Sequence, residues 1–220
     1  MKRILIDIGN TRVKLALADE GRLSEHRHLK TTDVTAEAIQ AVTEDWAKEA
    51  EQMVMCSVVP DRNAAFAEVF GKDLLVVSCD IPLGIGIDYP DRSTIGADRL
   101  ANAAALARLY GQPGIVVDFG TAVTFDVLSE EGNYCGGVIA PGVELMNDYM
   151  SERTALLPRV ELIKKPPALG RSTVGAMQAG AYYGYAGMVR RILDELLETF
   201  RDADAATIVA TGGAGELFYD

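Results

Sequence analysis

Asp7 closes an apolar run, Ile4-Leu5-Ile6, and Gly9, Asn10 and Thr11 follow before a second run from Val13 to Ala18. A carboxylate in that place can hold Mg2+ or a metal-bound water, because hard cations take oxygen ligands. The amides of Gly9, Asn10 and Thr11, with the Thr11 hydroxyl, can close around a phosphate. The pattern predicts two strands joined by a tight turn. Asp and Asn also occur in ordinary hairpins, where they only shape the turn. A second stretch repeats the plan at an offset of 111 residues: Asp118 matches Asp7, Gly120 matches Gly9, and Thr121 replaces Asn10. Such a repeat predicts a duplicated lobe, with two carboxylates and two phosphate-holding turns facing one cleft.

A third cluster, Gly96-Ala97-Asp98-Arg99, opens an alanine-rich segment of helical character. Asp98 reads either as a helix cap or as a rigidly held base for a hydroxyl proton. Arg99 can bind a substrate carboxylate in bidentate fashion, or sit in a surface salt bridge. Tyr89 lies in the loop-like stretch 82–94 and is expected to be exposed, or else to cover the base of that loop. The glycines of Gly136-Gly137 and Gly142 let backbone approach a ligand, and serve equally as bulge or turn residues. Gly212-Gly213 after a strand can lie against an adenine or ribose, or form a simple turn. No glycine-lysine pair is followed by serine or threonine, so phosphate chemistry here has to use carboxylates and hairpin turns.

The surrounding elements follow from periodicity. Strands are expected over 3–8, 13–19 and 22–29 as a meander, then 53–59 and 74–78. Helices are expected over 35–50, with Ile39, Val42 and Trp46 facing the core, and over 63–70. The second half predicts a hairpin at 114–118 and 122–128, a strand at 133–139, a helix at 143–153, an irregular stretch at 156–164 and a strand at 206–211. A long helix is predicted from Thr173 to Thr199, capped by Ser172 or Thr173. Its glycines 175, 180, 184 and 187 are poor helix formers and point to a close helix contact, internal or across a dimer seam. The reading is α/β, with one lobe at 1–80, a linking loop and active-site helix at 81–113, and a second lobe at 114–220.

The chain has 220 residues, 49% hydrophobic and 24% charged, enough for a substantial core. A formal charge of -11 argues against nonspecific nucleic-acid binding. Cys56, Cys79 and Cys135 form no CxxC and read as scattered core thiols of a reducing cytosol. His26 and His28 have no third ligand nearby, which argues against zinc. The first residues enter a strand directly, which argues against a signal peptide. No apolar run reaches the length of a membrane span.

Taken together, Asp7-Ile8-Gly9-Asn10-Thr11-Arg12-Val13-Lys14, Gly96-Ala97-Asp98-Arg99, Asp118 to Asp126, Gly136 to Gly142, Leu156-Leu157-Pro158, Ala176 to Gly180 and Thr211-Gly212-Gly213 resemble the type III pantothenate kinases, of the acetate kinase/Hsp70/actin superfamily. The resemblance spans nearly the whole chain. It implies two duplicated ribonuclease-H-like lobes with mixed sheets and ATP in the cleft, and phosphorylation of pantothenate as the first step towards coenzyme A. It further implies a cytoplasmic homodimer with shared active sites, needing Mg2+ and a monovalent cation, K+ or NH4+.

By position, Asp98 resembles the family's catalytic base. Tyr89, Gly96 and Arg99 match pantothenate-binding positions, and Thr173 one reached from the partner subunit. Asp7, Gly9, Asn10, Thr11 and Lys14 match the first phosphate motif, Gly120, Thr121, Ala122 and Thr124 the second, and Gly212 and Gly213 the adenosine motif. Asp7 and Asp118 are the cation positions. Most members continue for some tens of residues past the final glycines, so the C-terminus reads as short. Regulatory proteins without turnover share the fold and remain an alternative, as, more distantly, do phosphatases of the superfamily.

Overall fold

The computed structural model describes residues 1–218; residues 219 and 220, the last of the expected second lobe, lie outside the described residues. The chain forms two compact units, one from residues 1–83 and 91–101, the other from 84–90 and from 102 onward.

In the first unit, β1 (Lys2–Ile8), β2 (Arg12–Asp19) and β3 (Arg22–Lys30) make an antiparallel meander. β4 (Gln52–Ser57) and β5 (Leu74–Val76) add in parallel, giving the order β3-β2-β1-β4-β5. Parallel neighbours need a crossover, and α1 (Ala36–Ala47) and α2 (Pro60–Phe70) supply it. Ile4, Ile6 and Ile8 alternate inward on β1, as do Val13, Leu15 and Leu17 on β2, against Ile39, Trp46 and Phe66 of the helices. Each such side chain, fully buried, contributes about 1.5–3 kcal/mol. Thr35 caps α1 by accepting the Ala38 amide.

The expected helix over 63–70 begins earlier, at Pro60. A proline in the first turn loses no hydrogen bond and its φ is already helical, so the helix opens at Pro60-Asp61. The exposed strand β3 is tied to α1 by Arg27, which grips Asp45 with both guanidinium nitrogens (2.6 and 2.7 Å) and stacks 3.9 Å from the Trp46 ring. That grip holds the Asp45 carboxyl well below the usual carboxylate range.

The second unit repeats the meander with β7 (Gly114–Phe119), β8 (Ala122–Leu128) and β9 (Asn133–Pro141), and β10 (Thr207–Thr211) pairs in parallel with β7 as β4 does with β1. Beyond β9 lies β6 (Gly86–Ile87), a two-residue strand within the stretch expected to be loop. Two residues are too few to display a period of two. Along β9, Tyr134 turns inward and Cys135 outward, so Cys135 is exposed and not the core thiol that composition suggested.

The helices are α3 (Ala97–Leu109), which carries residues of both units, then α4 (Val143–Arg153), α5 (Thr173–Ala179) and α6 (Tyr185–Leu197). The single helix expected over 173–199 is interrupted by a π-helical turn, Gly180–Gly184, with right-handed helical backbone on either side. Two poor helix formers bound this widened turn. Ser172, rather than Thr173, caps α5 by accepting the Gly175 amide at 3.0 Å. Ile115, Val117, Phe119, Val123 and Phe125 form the core with Val143, Tyr185 and Val189. Burial pushes the Tyr185 phenol up to about 12, so it packs as a neutral ring, 4.8 Å from Phe218.

Candidate active site

The first hairpin turn is pinned from β3's end. Gly9 N–H donates to Arg12 O (3.0 Å), Thr31 Oγ1 donates to Gly9 O (2.7 Å), and Thr31 N–H donates to Thr11 O (3.2 Å). Thr31 is buried, and no local sequence pattern marks it, because its partners lie some twenty residues away. Asn10 and Thr11 are left exposed at the tip. Asp7 faces Lys14 across the β1–β2 ladder, with Lys14 Nζ 3.6 Å from Asp7 Oδ2 and both side chains at least half exposed. The strand end therefore presents a carboxylate, an ammonium and turn amides together.

The second turn follows the same logic with one residue fewer. Four residues separate the pair Ile8 and Val13, but three separate Phe119 and Val123. Thr121 thus takes the place of Thr11, and Asn10, which the sequence offset set against Thr121, has no counterpart. Gly120 N–H donates to Ala122 O (3.1 Å), and Gly142 N–H donates to Thr121 O (3.0 Å). A Cβ at Gly142 would overlap the Gly120 and Thr121 carbonyls, so only glycine lets the chain after β9 lie on this turn. Asp118 is half-buried at the end of β7, opposite Thr124 on β8. Gly212 packs against it: its φ is +90°, and a Cβ would fall 2.5 Å from Phe119 N and 2.6 Å from Asp118 Oδ1. Gly213 is exposed beside it, with open space around a Cβ.

Asp98 occupies the first turn of α3, half-buried, its Oδ1 accepting the Arg99 amide at 2.8 Å. It satisfies one of the amides of the helix's first turn, as the capping reading expects. A Cβ at Gly96 would overlap Asp98 Oδ1. Arg99 is also half-buried. Of the two readings given to Tyr89, the structure departs from the exposed one and has the ring half-buried as a cover. Its ring lies 6.0 Å from that of Tyr134 and covers Gly136, where a Cβ would come within 3.2 Å of the ring. Pairing of β6 with β9 carries the loop, and Tyr89 with it, onto that surface. Thr173 is exposed at the start of α5.

Within the first unit, then, Asp7, Lys14 and the turn 9–11 come together, and Gly96, Asp98 and Arg99 do so separately. Within the second, Asp118, Thr124, Gly212 and the turn 120–122 come together, and Tyr89 lies on β9. The donors suit a cation shared with phosphates: Mg2+ is held by one or two carboxylates plus phosphate oxygens, not by an all-protein cage. Among the described residues no three His, Cys, Asp or Glu gather as a cage. Asn102, whose amide reaches both Asp118 and Asp126, belongs to none of the stretches singled out in the sequence, and only the fold brings it there.

A family model described as type III pantothenate kinase matches residues 3–195. A type III pantothenate kinase of Akkermansia muciniphila is 45% identical over 218 residues, covering 99% of this chain and 88% of that protein. Another, of Methylacidiphilum infernorum, is 41% identical over 214 residues, covering 97% and 78%. Among solved structures, the ethanolamine utilization protein EutJ of Carboxydothermus hydrogenoformans matches with a TM-score of 0.55 at 18% identity, over 99% of this chain and 78% of that one. A ROK family protein of Streptococcus pneumoniae matches at 0.52 and 14%, over 98% and 82%. At these identities the likeness is one of fold alone, an α/β architecture with mixed sheets.

Proposed function

The chain belongs to the type III pantothenate kinase family, and from that premise we infer how its residues divide the reaction. It is a pantothenate kinase: the γ-phosphoryl group of ATP passes to the primary hydroxyl of pantothenate, the first step of coenzyme A biosynthesis. Turnover, rather than the regulatory role left open by the sequence, follows from that membership. The observation that carries the reading is the family match over residues 3–195, which includes every assigned site residue except Gly212 and Gly213.

In this reading Asp98 orients the pantothenate hydroxyl and accepts its proton as the new P–O bond forms and the bond to the ADP oxygen breaks. Arg99 binds the acceptor's carboxylate, with Gly96 and Tyr89 shaping its pocket and Thr173 reaching it from the partner subunit. Gly9, Asn10, Thr11 and Lys14, with Gly120, Thr121, Ala122 and Thr124, hold the phosphates, and Gly212 and Gly213 lie against the adenosine. Family membership implies ATP and Mg2+ dependence. Asp7 would hold Mg2+ or its water shell, and Asp118 would shape the K+ or NH4+ site. Bound cations there neutralise charge on the phosphate oxygens, and positioning with charge compensation supplies most phosphoryl-transfer catalysis. Residues 1–80 and 114–220 would act as the two lobes, with 81–113 as linking loop and active-site helix.

The substrate assignment is tested by offering ATP with a panel of small hydroxylated acids and alcohols and weighing each product by mass spectrometry. Pantothenate is expected to gain one phosphoryl group. Phosphorylation of a different alcohol, with pantothenate inert, would overturn the assignment.

A homodimer with shared sites belongs to the same reading. Gly180, Gly184 and Gly187 leave open space where a Cβ would stand, and Leu145, Tyr149, Val174 and Tyr183 on α4, α5 and the π turn are exposed. Sedimentation at micromolar concentration is expected to give twice the chain mass. A monomer with full activity would remove Thr173 from the site. Cytoplasmic location completes the reading: among the described residues no helix is long and apolar enough to cross a membrane. Cell fractionation that recovered the activity with membranes would contradict it.

A further inference from the structure

One buried polar network in the second unit ties Asp118 and Thr124, which the mechanism above uses, to Asn102 and Asp126, which it does not. Asp126, on β8, is fully buried and accepts hydrogen bonds from Thr124 Oγ1 (3.3 Å) and Asn102 Nδ2 (3.1 Å). The same Asn102 amide reaches Asp118 Oδ2 at 3.4 Å. The other oxygen of Asp118, Oδ1, lies on the side of Gly212. The carboxylate is thus set between an amide on α3 and a glycine that leaves it room.

We propose that Asn102 and Asp126 are positioning residues that fix the Asp118 carboxylate for the monovalent cation and the nucleotide phosphates; this rests on the role given to Asp118 above. The chemistry favours an asparagine at that point. Its amide carries two donors, enough to bridge two carboxylates that would otherwise repel. It is also neutral, so it orients Asp118 without cancelling the charge that a cation requires, as a lysine or arginine would. Asp126 in turn fixes the amide: a buried carboxylate is costly unless hydrogen-bonded, and this one holds Asn102 and Thr124 in a single arrangement.

The test uses the whole chain, with Asn102→Ala, Asp126→Asn, Asp118→Asn and the double variant Asn102→Ala/Asp118→Asn. Calorimetry of Mg-ATP binding over a K+ series, without acceptor, is read beside steady-state kinetics. Loss of a residue that orients a metal ligand typically costs about 10–100-fold in metal affinity. Asn102→Ala is therefore expected to raise the half-saturating K+ at least about 10-fold and to raise the KM for ATP. The KM for pantothenate should stay as in the wild type. The double variant should be no worse than Asp118→Asn alone, since residues acting through one another are not additive.

Wild-type K+ dependence in Asn102→Ala, while Asp118→Asn loses it, would overturn the positioning role alone. So would a fall in kcat or Tm with the K+ half-saturation unmoved. Unchanged K+ and ATP dependence in Asp118→Asn would overturn the cation role of Asp118 and this proposal with it. If Asp126→Asn fails to fold, the Asn102 and Asp118 variants decide.

Discussion

Asp98→Asn is expected to lower kcat by about 10²–10⁴-fold, the typical contribution of a general base, while leaving Mg-ATP binding close to that of the wild type. The substitution keeps the shape of the side chain and the oxygen that accepts the Arg99 amide at 2.8 Å, so the first turn of α3 keeps its hydrogen bond. It removes the proton acceptor. The adjacent backbone is cut to fit this carboxylate, since Gly96 has no Cβ where Asp98 Oδ1 lies. Turnover is read from ADP release in the presence of pantothenate, and binding from calorimetry without it. Wild-type turnover in Asp98→Asn would remove the base assignment. A matched loss of ATP affinity would instead point to a binding role.

Gly212→Ala is expected to damage both stability and nucleotide use. The position has φ +90°, where an L side chain is strained, and such strain costs about 1–3 kcal/mol. The new Cβ would also meet backbone atoms of Phe119 at 2.5–2.6 Å, which cannot swing away as the tip of a side chain can. The end of β7 has to move, and Asp118 moves with it. A loss of about 2 kcal/mol corresponds to a fall in Tm of about 4–8 °C for a chain of this size. The KM for ATP is expected to rise by about tenfold or more, because misplacement of roughly 1 Å can cost a factor of 10². Gly213→Ala is the comparison for stability: nothing lies within 4 Å of a Cβ there, so its Tm should match the wild type. Equal Tm values for Gly212→Ala and Gly213→Ala would contradict the packing argument.

The parts legible in the sequence were those written in local pattern. Apolar runs announced β1, β2, β7 and β8, and the two Asp-x-Gly turns announced the repeated meander. Gly96-Ala97-Asp98-Arg99 marked the start of α3 correctly. What stayed hidden depends on distant partners. Thr31 clamps the first turn across twenty-two residues. Tyr89 is drawn onto Tyr134 by a two-residue strand too short to show a pattern. Asn102 is an unremarkable polar residue in a helix until α3 is laid beside β7 and β8. The one-residue difference between the two turns was invisible because both keep the same Asp-x-Gly, and only the strand register reveals it.

The π turn between α5 and α6 sets an angular phase. One residue advances an α-helix by about 100°, and a turn closed by i→i+5 bonds accommodates one residue more than an α turn does. The stripe formed by Tyr185 and Val189 on α6 is locked into the core. Thr173, at the far end of α5, therefore takes its bearing from the slack stored in Gly180–Gly184 rather than from a regular helical count. Tightening the turn to α geometry with every residue kept would swing Thr173 about 100° around the axis, whereas removing one residue at the same time would leave its bearing nearly unchanged. The widened turn works as a vernier, setting the azimuth of one end of a rod whose other end is clamped.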